Sequence, residues 1–183
     1  MRKAKAHAKG VTKKASEPAC KPGERLYFDT AGPYSTSLGG PTYWVMAVDD
    51  HTRYKFSGFM KEKADIGSFA KEVLKKVKAA GHMVKYVRCE NAGENTKQLR
   101  EACEEEMGII LEFTAPYTPE QNGVVEQAFA TVRDRGNAMM LDANFSKEAQ
   151  GLLWCEAMDA ATGLANITAM TSKDIAPMKV SRA

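Results

Sequence analysis

Short apolar runs separated by turn residues open the folded part of the chain. Three runs rich in β-branched and aromatic residues occupy positions 25–30, 43–49 and 53–60. A Gly-Gly-Pro turn at 39–41 and a short polar link separate the runs, and this spacing predicts strands joined by tight connections. We therefore expect the first three strands to form an antiparallel meander.

The next segment changes from alternation to a helical period. Apolar side chains recur three or four residues apart on one face, with Lys and Glu on the other, at Ile66, Phe69, Ala70, Val73, Leu74 and Val77. This period predicts an amphipathic helix, which Gly81 ends. A fourth strand is predicted at 84–89, and its sequence ends in an acid, Glu90.

A second helix, a fifth strand and two further helices complete the pattern. Asn95 and Gln98 have the spacing of a capping box and predict a helix that ends near residue 107. A strand at 109–113 follows it.

A loop rich in helix breakers covers 114–123. The helix after it has an apolar stripe that includes Val125, Phe129 and Val132, and the last helix is predicted at 146–169. The order of elements predicts an α/β fold: a mixed five-stranded sheet of three antiparallel and two parallel strands, flanked by helices.

Composition is that of an ordinary globular protein, with 44% hydrophobic and 27% charged residues. Residues 1–25 carry eight Lys or Arg against two Glu, so a basic leader precedes a slightly acidic remainder. We expect a flexible leader at 1–23, one domain at 24–170 and a frayed segment at 171–183. The leader is interpreted as a solvated tail or linker, with phosphate binding or nuclear targeting as alternatives.

No membrane span is predicted, because the uncharged stretch at 160–172 is too short and contains polar residues. The four cysteines have no paired Cys-x-x-Cys spacing, so we interpret them as reduced and structural. These features favour an intracellular protein.

Three acids occupy positions where chemistry is expected. Asp29 lies in the first strand, Glu90 ends the fourth, and Glu126 falls in the first turn of the helix after the long loop. If the first and fourth strands are neighbours, Asp29 and Glu90 adjoin and the helix can place Glu126 beside them. Three close carboxylates need protons or a divalent cation to neutralise them, and oxygen ligands suit Mg²⁺ or Mn²⁺. The alternative is that Asp29 ends a strand, Glu90 faces solvent and Glu126 favours a helix N-terminus.

Five motifs in order carry a resemblance to a known family. They are FDTAGP at 28–33, VDDHTRY at 48–54, VRCENAGE at 87–94, APYTPEQNGVVE at 115–126 and LWCEAMDAA at 153–161. On these motifs the chain resembles the integrase catalytic core of copia-type retrotransposons, over about residues 24–170. Thirty-five residues separate Glu90 from Glu126, which is the interval that this family favours.

The resemblance implies a ribonuclease H-like fold and a metal-binding triad of Asp29, Glu90 and Glu126. It also implies DNA integration: water cleaves near the 3′ end of element DNA, and the freed 3′-hydroxyl then attacks target DNA. The cofactor would be Mg²⁺ (or Mn²⁺), and the partners would be element DNA, target DNA and further copies of the chain. A working integrase would reach the nucleus.

The same resemblance places four residues beside the DNA: Asn91, Tyr117, Gln121 and Asn122. For the loop residues among them, the alternative is that the neighbouring Pro and Gly residues simply shape a turn.

Two departures from the family pattern concern activity. Glu90 stands where the family has Asp, and its side chain reaches more than an ångström further, although catalytic geometry must hold to about 0.5 Å. The basic helix face expected after Glu126 reads Gln-Ala-Phe-Ala at 127–130, so phosphate contacts are lost.

These departures leave two hypotheses of different class. The chain is either a metal-dependent polynucleotidyl transferase or a catalytically inactive relic, or captured domain, that keeps nucleic-acid binding or self-association. A ribonuclease of the same fold is a weaker third hypothesis, because the loop motif is typical of integrases.

Overall fold

The computed structural model describes residues 18–90, 93–105, 107–114 and 122–169. Five strands and five helices follow one another in these ranges: β1 Arg25–Ala31, β2 Tyr43–Asp49, β3 Lys55–Met60, α1 Ile66–Ala79, β4 Tyr86–Cys89, α2 Gly93–Arg100, β5 Ile110–Phe113, α3 Gly123–Asp142, α4 Lys147–Leu152 and α5 Trp154–Ala169. Most of the predicted leader and the whole of the predicted 171–183 segment lie outside the described residues.

The strands form one mixed sheet in the order β3-β2-β1-β4-β5. The β1–β2 and β2–β3 pairs are antiparallel, whereas β1–β4 and β4–β5 are parallel. The predicted meander, and the addition of two strands through helical crossovers, are therefore confirmed.

Alternation along β1 and β2 sends successive side chains to two separate cores. On one face, Leu26 and Phe28 are fully buried in a cluster with apolar residues of α1 and α2. On the other, Tyr27 and Trp44 pack with α3 and α5. Because both faces of the central strands are covered, β1 and β2 read as almost continuous apolar runs, as expected for strands buried on both sides.

The predicted strand starts at 53, 84 and 109 are each one or two residues too early. The physical reason is clearest at Arg53, which has a positive φ of 62°. This left-handed conformation belongs to the turn between β2 and β3 and cannot continue a strand.

The predicted capping box is wrong, because α2 begins at Gly93 and Asn95 lies inside the helix. Gln98 packs against α1 instead: a Cβ added at Gly67 would lie 3.0 Å from the Gln98 Cβ. Gln98, which the local pattern assigned to capping, therefore forms part of the close contact between α1 and α2. The helix continues into a π-helical turn, Glu101–Glu105.

The predicted last helix is in fact two, separated at Leu153. Ser146 caps the first by accepting a hydrogen bond from the Ala149 N–H. The indole of Trp154 donates to the carbonyl of Ser35 at 2.8 Å and packs on Tyr34. This contact anchors the first residue of α5, and Gly151, two residues before the break, is the one local sign of it in the sequence.

Within the part of the chain that the structure describes, no helix is both long and apolar enough to cross a membrane.

Gly58 lies where β3 packs closely on α1. A Cβ at this position would lie 2.5 Å from Cε2 of Phe69 and 3.1 Å from Cγ1 of Val45. Phe69 in turn stands edge-on to Phe28, so its ring has little room to move. We expect Gly58→Ala to lower the free energy of unfolding by about 1–3 kcal/mol in urea denaturation.

Gly151→Ala is the matched control for this prediction. A Cβ there meets only the Ser35 hydroxyl at 3.7 Å, an ordinary contact. We expect stability to stay within about 1 kcal/mol of the starting protein or to rise, since Ala favours helix. Equal effects of the two substitutions would contradict the packing explanation.

Candidate active site

Parallel pairing of β1 with β4 brings two of the three candidate acids to one edge of the sheet. The register pairs Phe28 with Cys89, and Asp29 and Glu90 are the next residues of the two strands. Sites in α/β folds form at this carboxyl edge of parallel strands. Asp29 and Glu90 therefore stand on adjacent strands at equivalent positions.

Helix α3 supplies the third acid from the face above. Asp29 lies two residues after Tyr27, and side chains two apart share a sheet face. Tyr27 belongs to the cluster that packs against Val125 and Phe129 of α3. Glu126, beside Val125 in the first helical turn, is thereby carried toward Asp29.

The pKa of Asp29 reflects the approach of the two glutamates. Burial is the largest cause that raises its pKa, and the carboxylates of Glu90 and Glu126 raise it further. A hydrogen bond of 2.8 Å from the Thr30 N–H to Oδ1, together with the charge of Lys63, works in the opposite direction. The net result is a pKa of about 6 against an ordinary 3.8. Both glutamates therefore act on the same half-buried carboxyl group.

The donor set fits a divalent cation in chemistry but not in spacing. Carboxylate oxygens are the ligands that Mg²⁺ and Mn²⁺ prefer. Yet among residues 18–90, 93–105, 107–114 and 122–169, no three His, Cys, Asp or Glu side chains are grouped closely enough to hold a metal ion. The three acids share an electrostatic environment without forming a preassembled metal centre.

Of the four residues predicted to contact DNA, the structure describes only Asn122. Asn91, Tyr117 and Gln121 lie outside the described residues. Asn122 directly precedes α3 and is 5% exposed, and its Oδ1 has no hydrogen-bond partner within the described part of the chain. Its contact with DNA stays a prediction.

Sequence reasoning missed two residues near the acids. Thr30 orients Asp29 through its N–H, while its own Oγ1 is buried and lacks a partner among the described residues. Lys63, ahead of α1, is the cation that lowers the pKa of Asp29. The position of Thr30 directly after Asp29 was a usable signal, whereas Lys63 is distant in sequence and nothing in its surroundings marks it.

A buried ionic network lies on the sheet face that Asp29 occupies. It fixes the register of the parallel strands β1, β4 and β5. Oε2 of Glu112 in β5 accepts from Arg88 at 2.8 Å and from Arg25 at 3.2 Å. Arg25 also meets Asp50 at 3.4 Å. Because removal of one partner would leave an uncompensated buried charge, the network resists slippage between β1, β4 and β5.

Comparison with known proteins was made at three levels. No family model matches the chain. A curated relative, the retrovirus-related Pol polyprotein from transposon TNT 1-94 of Nicotiana tabacum, is 32% identical over 144 residues, which cover 77% of this chain and 10% of the polyprotein. The chain thus spans about a tenth of the length of that relative.

Two solved structures share the fold. A chain of the simian T-cell lymphotropic virus intasome in complex with PP2A regulatory subunit B56 gamma aligns with a TM-score of 0.63 at 14% identity, covering 95% of this chain and 63% of that one. The catalytic core domain of BIV integrase aligns with a TM-score of 0.55 at 18% identity, covering 84% and 88%. The two structures confirm the ribonuclease H-like fold, and the match to the transposon Pol polyprotein confirms the family that the motifs indicated: the chain belongs to the integrase catalytic cores of copia-type retrotransposons.

Proposed function

We propose that this chain acts in DNA integration by cleaving and joining DNA phosphodiesters at the edge formed by Asp29, Glu90 and Glu126. One observation carries the proposal: burial, together with the charges of two glutamates from different elements, raises the pKa of the half-buried Asp29 to about 6. Perturbed carboxyl groups of this kind concentrate at functional sites. The relatedness to a Pol polyprotein and to integrase cores supports DNA as the substrate.

The reactions proposed are 3′-end processing and strand transfer. A bound Mg²⁺ or Mn²⁺ would supply activation of the attacking oxygen and stabilisation of the leaving oxygen. The chain's own part is to hold three carboxylates where they can receive that ion. The Thr30 N–H fixes one oxygen of Asp29, and partial burial of its carboxyl group disfavours the charged form in the absence of an ion.

The remaining proposals follow from the same relatedness. DNA ends and target DNA would be the partners, and copies of the chain would assemble on them, since one similar structure is an intasome. Such a reaction would take place in the nucleus.

The second candidate is an inactive relic that keeps nucleic-acid binding or self-association. Two observations favour it: Glu90 replaces the family's Asp, and the acids are not grouped closely enough to hold an ion. The outer face of α3 also lacks cations where the family has them, since Gln127 and Ala130 are exposed there.

Glu90→Asp separates the two candidates. A shorter side chain restores the family's geometry, and a displacement of about 1 Å can change a rate on the order of a hundredfold. We expect Glu90→Asp to raise Mn²⁺-dependent strand transfer by about tenfold or more, measured on a short labelled DNA duplex.

The control for this experiment is the double variant with Asp29→Asn, which should remove the gain. A folded Glu90→Asp protein with no activity would contradict the enzyme proposal and support the relic.

Asp29→Asn is expected to stabilise the fold at neutral pH. The pKa of Asp29 is higher in the folded state than in the unfolded chain, so the unfolded carboxyl releases its proton first as pH rises. Stability therefore falls from about pH 4 to pH 6, and the full loss, on the order of 3 kcal/mol, is present above pH 6.

Thermal denaturation checks this prediction. We expect Asp29→Asn to raise the Tm by several degrees at pH 7.5 and hardly at all at pH 4. Asp134→Asn, an exposed position on α3, is the control. A gain that is independent of pH would contradict the electrostatic origin.

Mg²⁺ should stabilise the protein in a pH-dependent way. An ion at ten times its Kd adds about 1.4 kcal/mol to the free energy of unfolding. Protons compete for Asp29, so we expect the Tm increase in millimolar MgCl₂ to be larger at pH 7.5 than at pH 5. Asp29→Asn should abolish the increase, with KCl of equal ionic strength as the reference. The same Tm in MgCl₂ and in KCl would count against the metal site.

A further inference from the structure

A pocket of about 680 Å³ lies between the N-terminal half of α3 and the start of β3. Its walls include Gly123 and Thr131 from α3, Val48 from β2, and two cations, Arg53 and Lys55. Lys55 pairs in register with Val48, and Val48 with Tyr27, so the pocket opens on the sheet face that Asp29 also occupies. By sheet spacings, the Cα atoms of Asp29 and Lys55 are about 12 Å apart.

Two cations line this pocket, and a third, Arg135, lies close enough for its charge to act on Lys55. Nζ of Lys55 donates to the backbone carbonyl of Arg53 at 3.0 Å, so the ammonium group lies against the turn that carries Arg53. Arg135 lies one helical turn beyond Thr131 on the same face of α3, and its charge reaches Lys55. Burial is the main cause that lowers the pKa of Lys55, followed by repulsion from Arg135 and Arg53.

Compensating negative charge is scarce around these cations. Asp50 meets Arg53 at 3.4 Å but is also held by Arg25. Within the described part of the chain, no carboxylate lies in ion-pair range of Lys55 or Arg135. A half-buried lysine between two arginines therefore stores repulsion that a bound anion would relieve.

The carboxyl end of α5 explains how the fold tolerates the cluster without a ligand. Asn166 binds both the N–H and the carbonyl of Lys55 at 2.8 Å, and Arg135 donates to Thr168 at 3.1 Å. The last turn of α5 has no basic residue of its own, so these cations face the negative end of its dipole. A partial charge of this size offsets only part of three full positive charges.

The opposite wall of the pocket adds positive potential. Gly123 and Val124, which line it, form the first turn of the 20-residue helix α3. A helix N-terminus favours anions. A Cβ at Gly123 would meet no atom of the described residues within 4 Å.

We propose that this pocket binds a phosphate group, held by Arg53, Lys55 and Arg135 and completed by the N-terminus of α3. Guanidinium groups match phosphate oxygens in geometry, and the lysine supplies a central point charge. The phosphate comes either from a nucleic-acid backbone or from a free phosphate species. The site requires neither a metal ion nor catalysis at Asp29.

Inorganic phosphate is the probe, titrated into the full chain by isothermal calorimetry at constant ionic strength. Lys55→Met keeps the length of the side chain and removes its charge, and Arg135→Gln changes an exposed position. Lys78→Gln, on the exposed face of α1, is the matched control. We expect saturable binding at one site, a loss of affinity of about tenfold or more in each pocket variant, and no change in the control. Equal binding by all four proteins, or no saturable binding by the unchanged chain, would overturn the proposal.

Stability separates lost binding from lost folding. Lys55→Met removes a repelling charge, so its Tm should equal or exceed that of the starting protein. If it fails to fold, Arg135→Gln alone decides, since this side chain is exposed.

Binding of a short DNA duplex, followed against salt concentration, identifies the source of the phosphate. For a backbone phosphate, each pocket variant lowers the slope of log K against log salt by about one. An unchanged slope together with weakened phosphate binding supports the site and assigns it to a free phosphate species.

Discussion

The parallel pairing of β1 with β4 is the constraint on which the candidate active site depends. Its register ends at Phe28 and Cys89, and the next residue of each strand is an acid. A slip of one residue would send Asp29 to the opposite face of the sheet, away from α3. The apolar pattern of β1 and the ionic contacts of Glu112 with Arg25 and Arg88 both oppose such a slip.

The sheet face that packs against α3 carries both a group of negative charges and a group of positive charges, on either side of the first turns of α3. Asp29 is buried near two further carboxylates, and Lys55 is half-buried between two arginines. Each arrangement costs stability, and each would be relieved by a ligand of opposite charge. A surface chosen for stability alone would alternate these charges, as Lys76 and Glu72 do on α1. The two arrangements agree with the proposed binding of a divalent cation and of a phosphate group at neighbouring places on this face.

The sequence sufficed for the elements and their order because burial on two faces and the helical period are local signals. Chain order and crossover rules permitted β1 beside β4, and the observed pairing of these strands brings Asp29 beside Glu90. What the sequence could not provide depends on contacts between distant residues. Gln98 packs on Gly67 instead of capping a helix, and Trp154 breaks a helix by binding Ser35. The cationic pocket unites residues from β3, α3 and the β2–β3 turn, and no motif contains them together.

The length of the Glu90 side chain bears on two features of the site. The three acids are not spaced to hold an ion, and the pKa of Asp29 is raised. Glu has one more rotatable bond than Asp, so its carboxylate can move away from Asp29, at the cost of more rotamer entropy when an ion must hold it. An Asp at this position would stay nearer to Asp29, which would raise the pKa of that residue further in the absence of an ion. We therefore expect Glu at this position to repel Asp29 less than Asp would in the absence of an ion, and to lose more rotamer entropy when an ion binds. Activity at this edge depends on whether the binding of DNA and metal together can overcome that loss.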